Sequence, residues 1–245
     1  MSAIGALRFR VESVAFWAPT LPGADIARAA FRGEGAPTDP PAKRPAPEIL
    51  APAERRRAPD SVALALEVAA AAVRDSGRDA ATLPAIFTST HGDLTVNDYM
   101  CATLASQPTA ISPTRFHNSV HNAAAGYWTI ATGCRAASTA LTAYDGSFAA
   151  GLLEAATQCV ADERPVLLVA FDGQAVGALA TVTKSEGLLA GAWVLAPQQA
   201  TNRRRGRDFS ATLLRGPVAP PALRSEAARA LGGNNCVLAF AREPR

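Results

Sequence analysis

Between an apolar Thr/Ala run and an alanine-rich run lies Tyr144-Asp145-Gly146-Ser147, and Asp145 is the side chain there best placed to do chemistry. A sharp turn from a buried strand into a helix exposes one side chain, and the helix N-terminus stabilises negative charge beside it. Enzymes place nucleophiles at such turns, and this one offers a carboxylate. An aspartate at a helix start is also an ordinary cap, worth about 1 kcal/mol. Capping, or burial in a polar network, is the reading the residues favour.

The other groups able to move protons are His91, His117 and His121. His117 and His121 are four apart, with Asn118 and Asn122 interleaved, and on one helix that spacing can hold a metal. No carboxylate or cysteine lies near them in sequence. Hydrogen bonding at an interface is therefore the favoured role, and no metal and no cofactor are expected. The Thr88-Ser89-Thr90-His91-Gly92-Asp93 segment has one glycine, which reads as a structural turn rather than a phosphate cradle. Cys101, Cys134, Cys159 and Cys236 show no C-x-x-C spacing and read as reduced small hydrophobes of a cytoplasmic protein.

These residues need elements to position them. Leu7 to Val14 alternates as a strand does. Residues 18–59 are dense in Pro and Gly, a wrapping loop with room for one short helix. Residues 60–76 are a strong helix, capped by Asp60 or Ser61 and closed by Gly77. A short buried strand follows at 84–90, then helices over 93–106 and 119–133. Residues 136–143 read as a strand and 147–161 as a helix. The continuous apolar run at 164–173 is a fully buried strand. Further strands are expected at 175–183, 190–197 and from Phe209, then a short helix within 220–231 and a last strand at 234–242. Strands alternating with helices predict an α/β fold, a sheet covered by helices.

Composition narrows the classes. The chain has 245 residues, 49% hydrophobic but only 6% aromatic, so small residues must do much of the packing in a single domain. A net charge of +3 without a basic, aromatic-studded face excludes a nucleic-acid binder. No uncharged apolar run is long enough to span a membrane, and the N-terminus lacks the order of a signal peptide. The runs Arg55–Arg57 and Arg203–Arg207 read as solvated loops that could also steer an acidic partner.

The order and spacing from Ile111 to Gly173 resemble the N-terminal half of the β-ketoacyl synthases. Ile111-Ser112-Pro113, Asn122, Gly126, Thr129-Ile130, Gly133, Arg135 and Ser138 fall in that family's order without a gap, as do Ala155 and the strand ending at Gly173. Gly232, Gly233 and Asn235 resemble its closing turn before the last strand. The resemblance implies a truncated thiolase-like fold, a mixed sheet covered by helices, over residues 1–245, with 198–230 as a shortened second half.

That family attacks its thioester with a cysteine at the elbow, where this chain has Asp145. A carboxylate is a poor acyl acceptor, because the anhydride it would form is labile. The family's condensing histidines come from the C-terminal half. Here none follows His121. Nucleophile and bases are missing together, as in the small chain-length factors of aryl-polyene and flexirubin-type pigment systems. The resemblance thus implies a non-catalytic subunit that pairs with an active ketosynthase, meets an acyl carrier protein transiently, and helps to set acyl chain length. Strand 136–143 would lie at the dimer interface. Thr90, Arg115, Phe116, His117, His121 and Asn122 would line the acyl tunnel or interface. The alternative is a self-contained hydrolase or decarboxylase using Asp145 with His117 or His121.

Overall fold

Among the described residues a sheet of six strands organises the fold, in the order β3-β2-β4-β5-β1-β6. The structure, a computed structural model, describes residues 6–183, 185, 187–198 and 206–212. The strands are β1 (Leu7–Trp17), β2 (Ala85–Thr88), β3 (Ser138–Leu141), β4 (Val166–Asp172), β5 (Leu189–Pro197) and β6 (Arg207–Ala211). The helices are α1 (Ala24–Arg32), α2 (Pro52–Arg57), α3 (Asp60–Ser76), α4 (Leu94–Ser106), α5 (Pro113–His117), α6 (Ala123–Thr132) and α7 (Ser147–Ala161). β3, β2 and β4 run parallel, whereas β4, β5, β1 and β6 pair antiparallel. The sheet is therefore mixed and covered on both faces, as the sequence predicts.

The two-residue period of a strand sorts the core. Leu167, Val169 and Phe171 of β4 join Phe87 of β2 under α3 and α6. Val166, Leu168 and Ala170 face the other way, with Ile86, towards α1 and α7. Every residue of β4 is buried, which explains its unbroken apolar run. Small residues allow close approach, as composition requires. A methyl at Gly151 of α7 would lie 2.8 Å from Thr88 Cγ2, so α7 sits directly on β2.

Several boundaries differ from expectation. The Pro-rich segment 18–59 holds two short helices, α1 and α2. Arg44 pins it by donating to Asp60 Oδ1, Arg55 O and Ala58 O, all at 2.9 Å. Neither Asp60 nor Ser61 caps α3. Pro59 occupies the cap position, and Ser61 instead donates to Asp93 Oδ2 at 2.6 Å. The strand expected at 175–183 is a loop with a 3-10 turn at Gly177–Thr181. Gly177 has φ +60°, and a Cβ there would collide with the Asp98 carboxylate, a backbone state no strand can use. The expected elements at 220–231 and 234–242, the turn at Gly232, Gly233 and Asn235, and most of 198–230 lie outside the described residues.

Candidate active-site elbow and interface

The carboxyl ends of the three parallel strands converge, which is where open α/β sheets place their sites. Asp172 closes β4 and is 2% exposed. Its Oδ1 accepts from Ser89 Oγ at 2.9 Å and from the Thr90 backbone N–H at 2.8 Å, and its Oδ2 accepts from Thr90 Oγ1 at 2.9 Å. Ser89 Oγ in turn accepts from the Gly92 N–H at 2.9 Å. Thr142, just past β3, donates to Thr90 O at 2.8 Å. One buried carboxylate thus fixes the loop after β2, and Thr142 ties that loop to the one after β3. Sequence reasoning passed over Asp172. The available signal was a carboxylate closing a fully apolar run, beside a Ser/Thr-rich turn in need of an acceptor.

The elbow is built from Tyr144 to Gly146, a single 3-10 turn leading into α7. Tyr144 has φ +54°, a left-handed conformation that strains an aromatic residue. Ser147, fully buried, holds the turn from beneath. Its Oγ donates to Tyr144 O at 2.6 Å and accepts from the Ala143 N–H at 3.0 Å, while its carbonyl accepts from Thr88 Oγ1 at 2.9 Å. Asp145 lies one position before the cap of α7, as one reading of the sequence has it, but it neither caps the helix nor joins a buried network. Gly146 occupies the cap position without a side-chain bond, and Asp145 is exposed on the outer side of the turn. The His91 ring meets Tyr144 edge-on, with centroids 5.2 Å apart.

The two other histidines are separated. Helix α6 starts at Ala123 rather than Ser119, so His117 ends α5 and His121 sits in the turn between helices. The two therefore share no helix, and the i, i+4 pairing does not form. His121 Nε2 lies 3.4 Å from Ser89 O, and a Cβ at Gly92 would touch its ring at 3.5 Å. His117 instead lies edge-on to Tyr127, with centroids 6.2 Å apart. No cluster of three His, Cys, Asp or Glu among the described residues is placed to hold a metal. Neither His117 nor His121 hydrogen-bonds to Asp145 among the described residues.

Thr90 and His121 are thus gathered around the end of β2, whereas Arg115, Phe116 and His117 lie on α5. The Arg115 guanidinium stacks 4.4 Å over the Tyr99 ring, and Tyr99 Oη accepts from the Ser112 N–H at 3.1 Å, which anchors the start of α5. Phe116 is 63% exposed, with Val120 at 53% and Ile130 at 82% on the same α5–α6 segment. Asn122 and His121 line an open groove of about 470 Å³ that runs past Gly126 and Thr129 to Ser138 and Ala140 of β3. Among the described residues β3 itself is the sheet's edge. Exposed apolar side chains beside an unpaired strand edge are the physical signature of an interaction surface.

The described cysteines lie away from this site. Cys134 is buried and donates to Leu83 O at 3.3 Å, before β2 begins. Cys159 is buried in α7, and burial, with Glu12 adding to it, pushes its thiol up to about 12. Cys101 is exposed. Iodoacetamide at pH 8 is therefore expected to alkylate Cys101 readily in the native protein and to leave Cys159 unmodified, as peptide mass mapping would record. Native alkylation of Cys159 would mean that α7 opens.

Comparison with known proteins places this geometry. The family model for the β-ketoacyl synthase N-terminal domain matches residues 32–219. No curated protein matches in sequence. A solved ketosynthase (ApeO) in complex with its chain length factor (ApeC), from Xenorhabdus doucetiae, is similar at TM-score 0.67 and 28% identity, over 78% of this chain and 80% of that one. The ishigamide ketosynthase/chain length factor gives TM-score 0.62 at 16% identity, over 80% of this chain and 63% of that one. A β-ketoacyl synthase from Burkholderia phymatum STM815 gives 0.61 at 11%, over 78% and 59%. The last two likenesses show the fold alone, and the thiolase-like layering expected from the sequence is theirs. No helix among the described residues is long and apolar enough to cross a membrane. With a family match over most of its length and the strained strand-to-helix elbow in place, this chain belongs to the β-ketoacyl synthase N-terminal domain family.

Proposed function

We propose that this chain is the non-catalytic chain-length-factor subunit of a heterodimeric ketosynthase, acting as one domain in the cytoplasm on acyl chains of the aryl-polyene type. The observation that carries the reading is the elbow. The strained turn persists, but its outward side chain is an exposed carboxylate, and the described thiols lie elsewhere. A thioester needs a thiolate-class nucleophile and a base within hydrogen-bond reach. The similarity to a ketosynthase–chain length factor complex at 28% identity supports the same reading.

The partner ketosynthase would add its edge to β3 and cover the apolar residues of α5 and α6. Such a surface favours association through burial of apolar area and satisfaction of strand-edge hydrogen bonds. Arg56 and Arg57 are exposed on α2 and would steer an acidic acyl carrier protein during brief encounters. Arg55 is not free for this, since it donates to Leu50 O at 2.9 Å.

Co-expression with the candidate ketosynthase tests the proposal. The two chains are expected to co-purify one-to-one, and Asp145→Ala is expected to leave the condensation rate within about twofold, since no transition-state charge is assigned to that carboxylate. Loss of acyl-enzyme formation in the Asp145→Ala complex would overturn the reading and make this chain the catalyst.

A further inference from the structure

The α1/α7 face of the sheet, opposite α3 and α6, carries a groove of about 650 Å³ that the elbow and the β3 edge do not use. That volume falls in the range of small-molecule sites. Its apolar lining is aromatic and ordered by pairs. Phe148 of α7 packs against Trp193 of β5 with ring centroids 4.9 Å apart, and Phe9 of β1 stacks on Phe209 of β6 at 6.1 Å. Val11, Val14, Leu152 and Leu195 add aliphatic surface to it.

The polar side chains Ser13 and Glu12, which line the same groove among the described residues, are already satisfied. Ser13 donates to Ala72 O at 2.6 Å, and the Glu12 carboxylate, 2% exposed, takes both arms of the Arg78 fork at 2.8 and 2.7 Å. An occupant of the interior thus has no hydrogen bond to make there, and an alkyl chain fits it better than a sugar or a peptide. The other charged lining residues among those described are cationic, namely Arg28, Arg32 and Arg207. Arg207 is exposed and has no ion pair among the described residues. Arg28 and Arg32 hold only surface pairs, with Asp25 at 2.8 Å and Glu34 at 3.6 Å, which are weak and exchangeable.

We propose that this groove is a binding site for a single-chain anionic amphiphile, with the alkyl tail along Phe148, Trp193 and Phe209 and a carboxylate or phosphate head among the arginines. The assignment rests on this chain's own residues and stands or falls separately from its pairing with a ketosynthase.

Trp193 is the reporter, because a heavy atom on the tail would lie beside its indole. The full chain, with its partner where the two co-purify, is titrated with bromoundecanoate below its micelle concentration and read by tryptophan fluorescence. Bromoundecyl phosphate and bromoundecanol are the parallel arms. Saturable quenching by both anions is expected, with the neutral alcohol about tenfold weaker. A preference between carboxylate and phosphate identifies the head, and equal binding means that the arginines read charge alone. Trp193→Phe should remove the quenching. The surface variant Arg207→Glu should weaken both anions about tenfold and leave the alcohol unchanged. Three results would each overturn the site: no saturable quenching, quenching that survives Trp193→Phe, or Arg207→Glu binding both anions as the parent does.

Discussion

Asp172→Ala is expected to destabilise the protein by about 3–5 kcal/mol, because three donors around one buried carboxylate lose their acceptor at once. Hydrogen bonds to a charged acceptor contribute roughly 1.5–3 kcal/mol each, and a buried donor left unpaired costs about 1–3 kcal/mol. These terms overlap and do not simply add. The cavity is small and polar, and water entering it would recover part of the loss. For a chain of this size the melting temperature should fall by roughly 6–20 °C. Asp172→Asn should fall between, since one oxygen remains while the amide turns a donor towards a donor. A thermal melt of the purified complex decides this. A loss below about 1 kcal/mol would mean that the Ser89–Thr90 loop is held by its other contacts, such as Thr142 on Thr90 O. The variant should also disturb the groove beside His121, because Ser89 is the shared partner.

Phe116→Ala is expected to lengthen the products of the reconstituted pair by about one or two cycles, without slowing the first condensation. Phe116 is 63% exposed on α5, so this chain's own core does not claim it, and it is available to a partner's tunnel. A growing acyl chain gains about 0.8 kcal/mol for each methylene buried. Once it meets a wall, further growth must displace packed side chains, at about 1–3 kcal/mol for overpacking. Termination is therefore steep in length, and removing the wall moves it. Arg115 is anchored on Tyr99 and should hold the α5 backbone in place when the Phe116 ring is removed. Mass spectrometry of carrier-bound products provides the readout. An unchanged length distribution from an intact heterodimer would take Phe116 out of the tunnel.

The sequence revealed more of the scaffold than of the site, for physical reasons. Helix α3 and strands β4 and β5 were legible because each is a long apolar run, and the two strands are buried at almost every position. Residues 175–183 have a strand's composition but not its backbone. The left-handed Gly177 breaks the run, and Val182 stays 71% exposed, so local pattern lost to one tertiary contact with Asp98. At the elbow, the sequence located the turn but not the direction of its side chains. Which of Asp145 and Ser147 points inward depends on the positive φ of Tyr144, and no spacing rule carries that. Asp172 escaped notice because the donors it serves lie more than eighty positions earlier in the chain. The separation of His117 from His121 turned on a short helix that ends at His117 and a turn that precedes α6, and helix ends are the least regular part of a helix.

The place of β1 in the sheet bears on how the molecule is made. Among the described residues β1 pairs only with β5 and β6, so Phe9 finds its neighbours at Pro197 and Phe209, near the far end of the described chain. At synthesis rates of about 5–20 residues per second, β1 waits roughly 10–35 s on the ribosome before β5 exists. During that time Phe16 and Trp17, buried in the finished fold, have no strand to sit beside. The parallel half is different, because β2, β3 and β4 all lie between Ala85 and Asp172 and can meet as soon as that stretch has emerged. The β3 edge is thus complete while the opposite side of the sheet is still missing, so a subunit that recognises this edge can engage the nascent chain before its first strand has found its place.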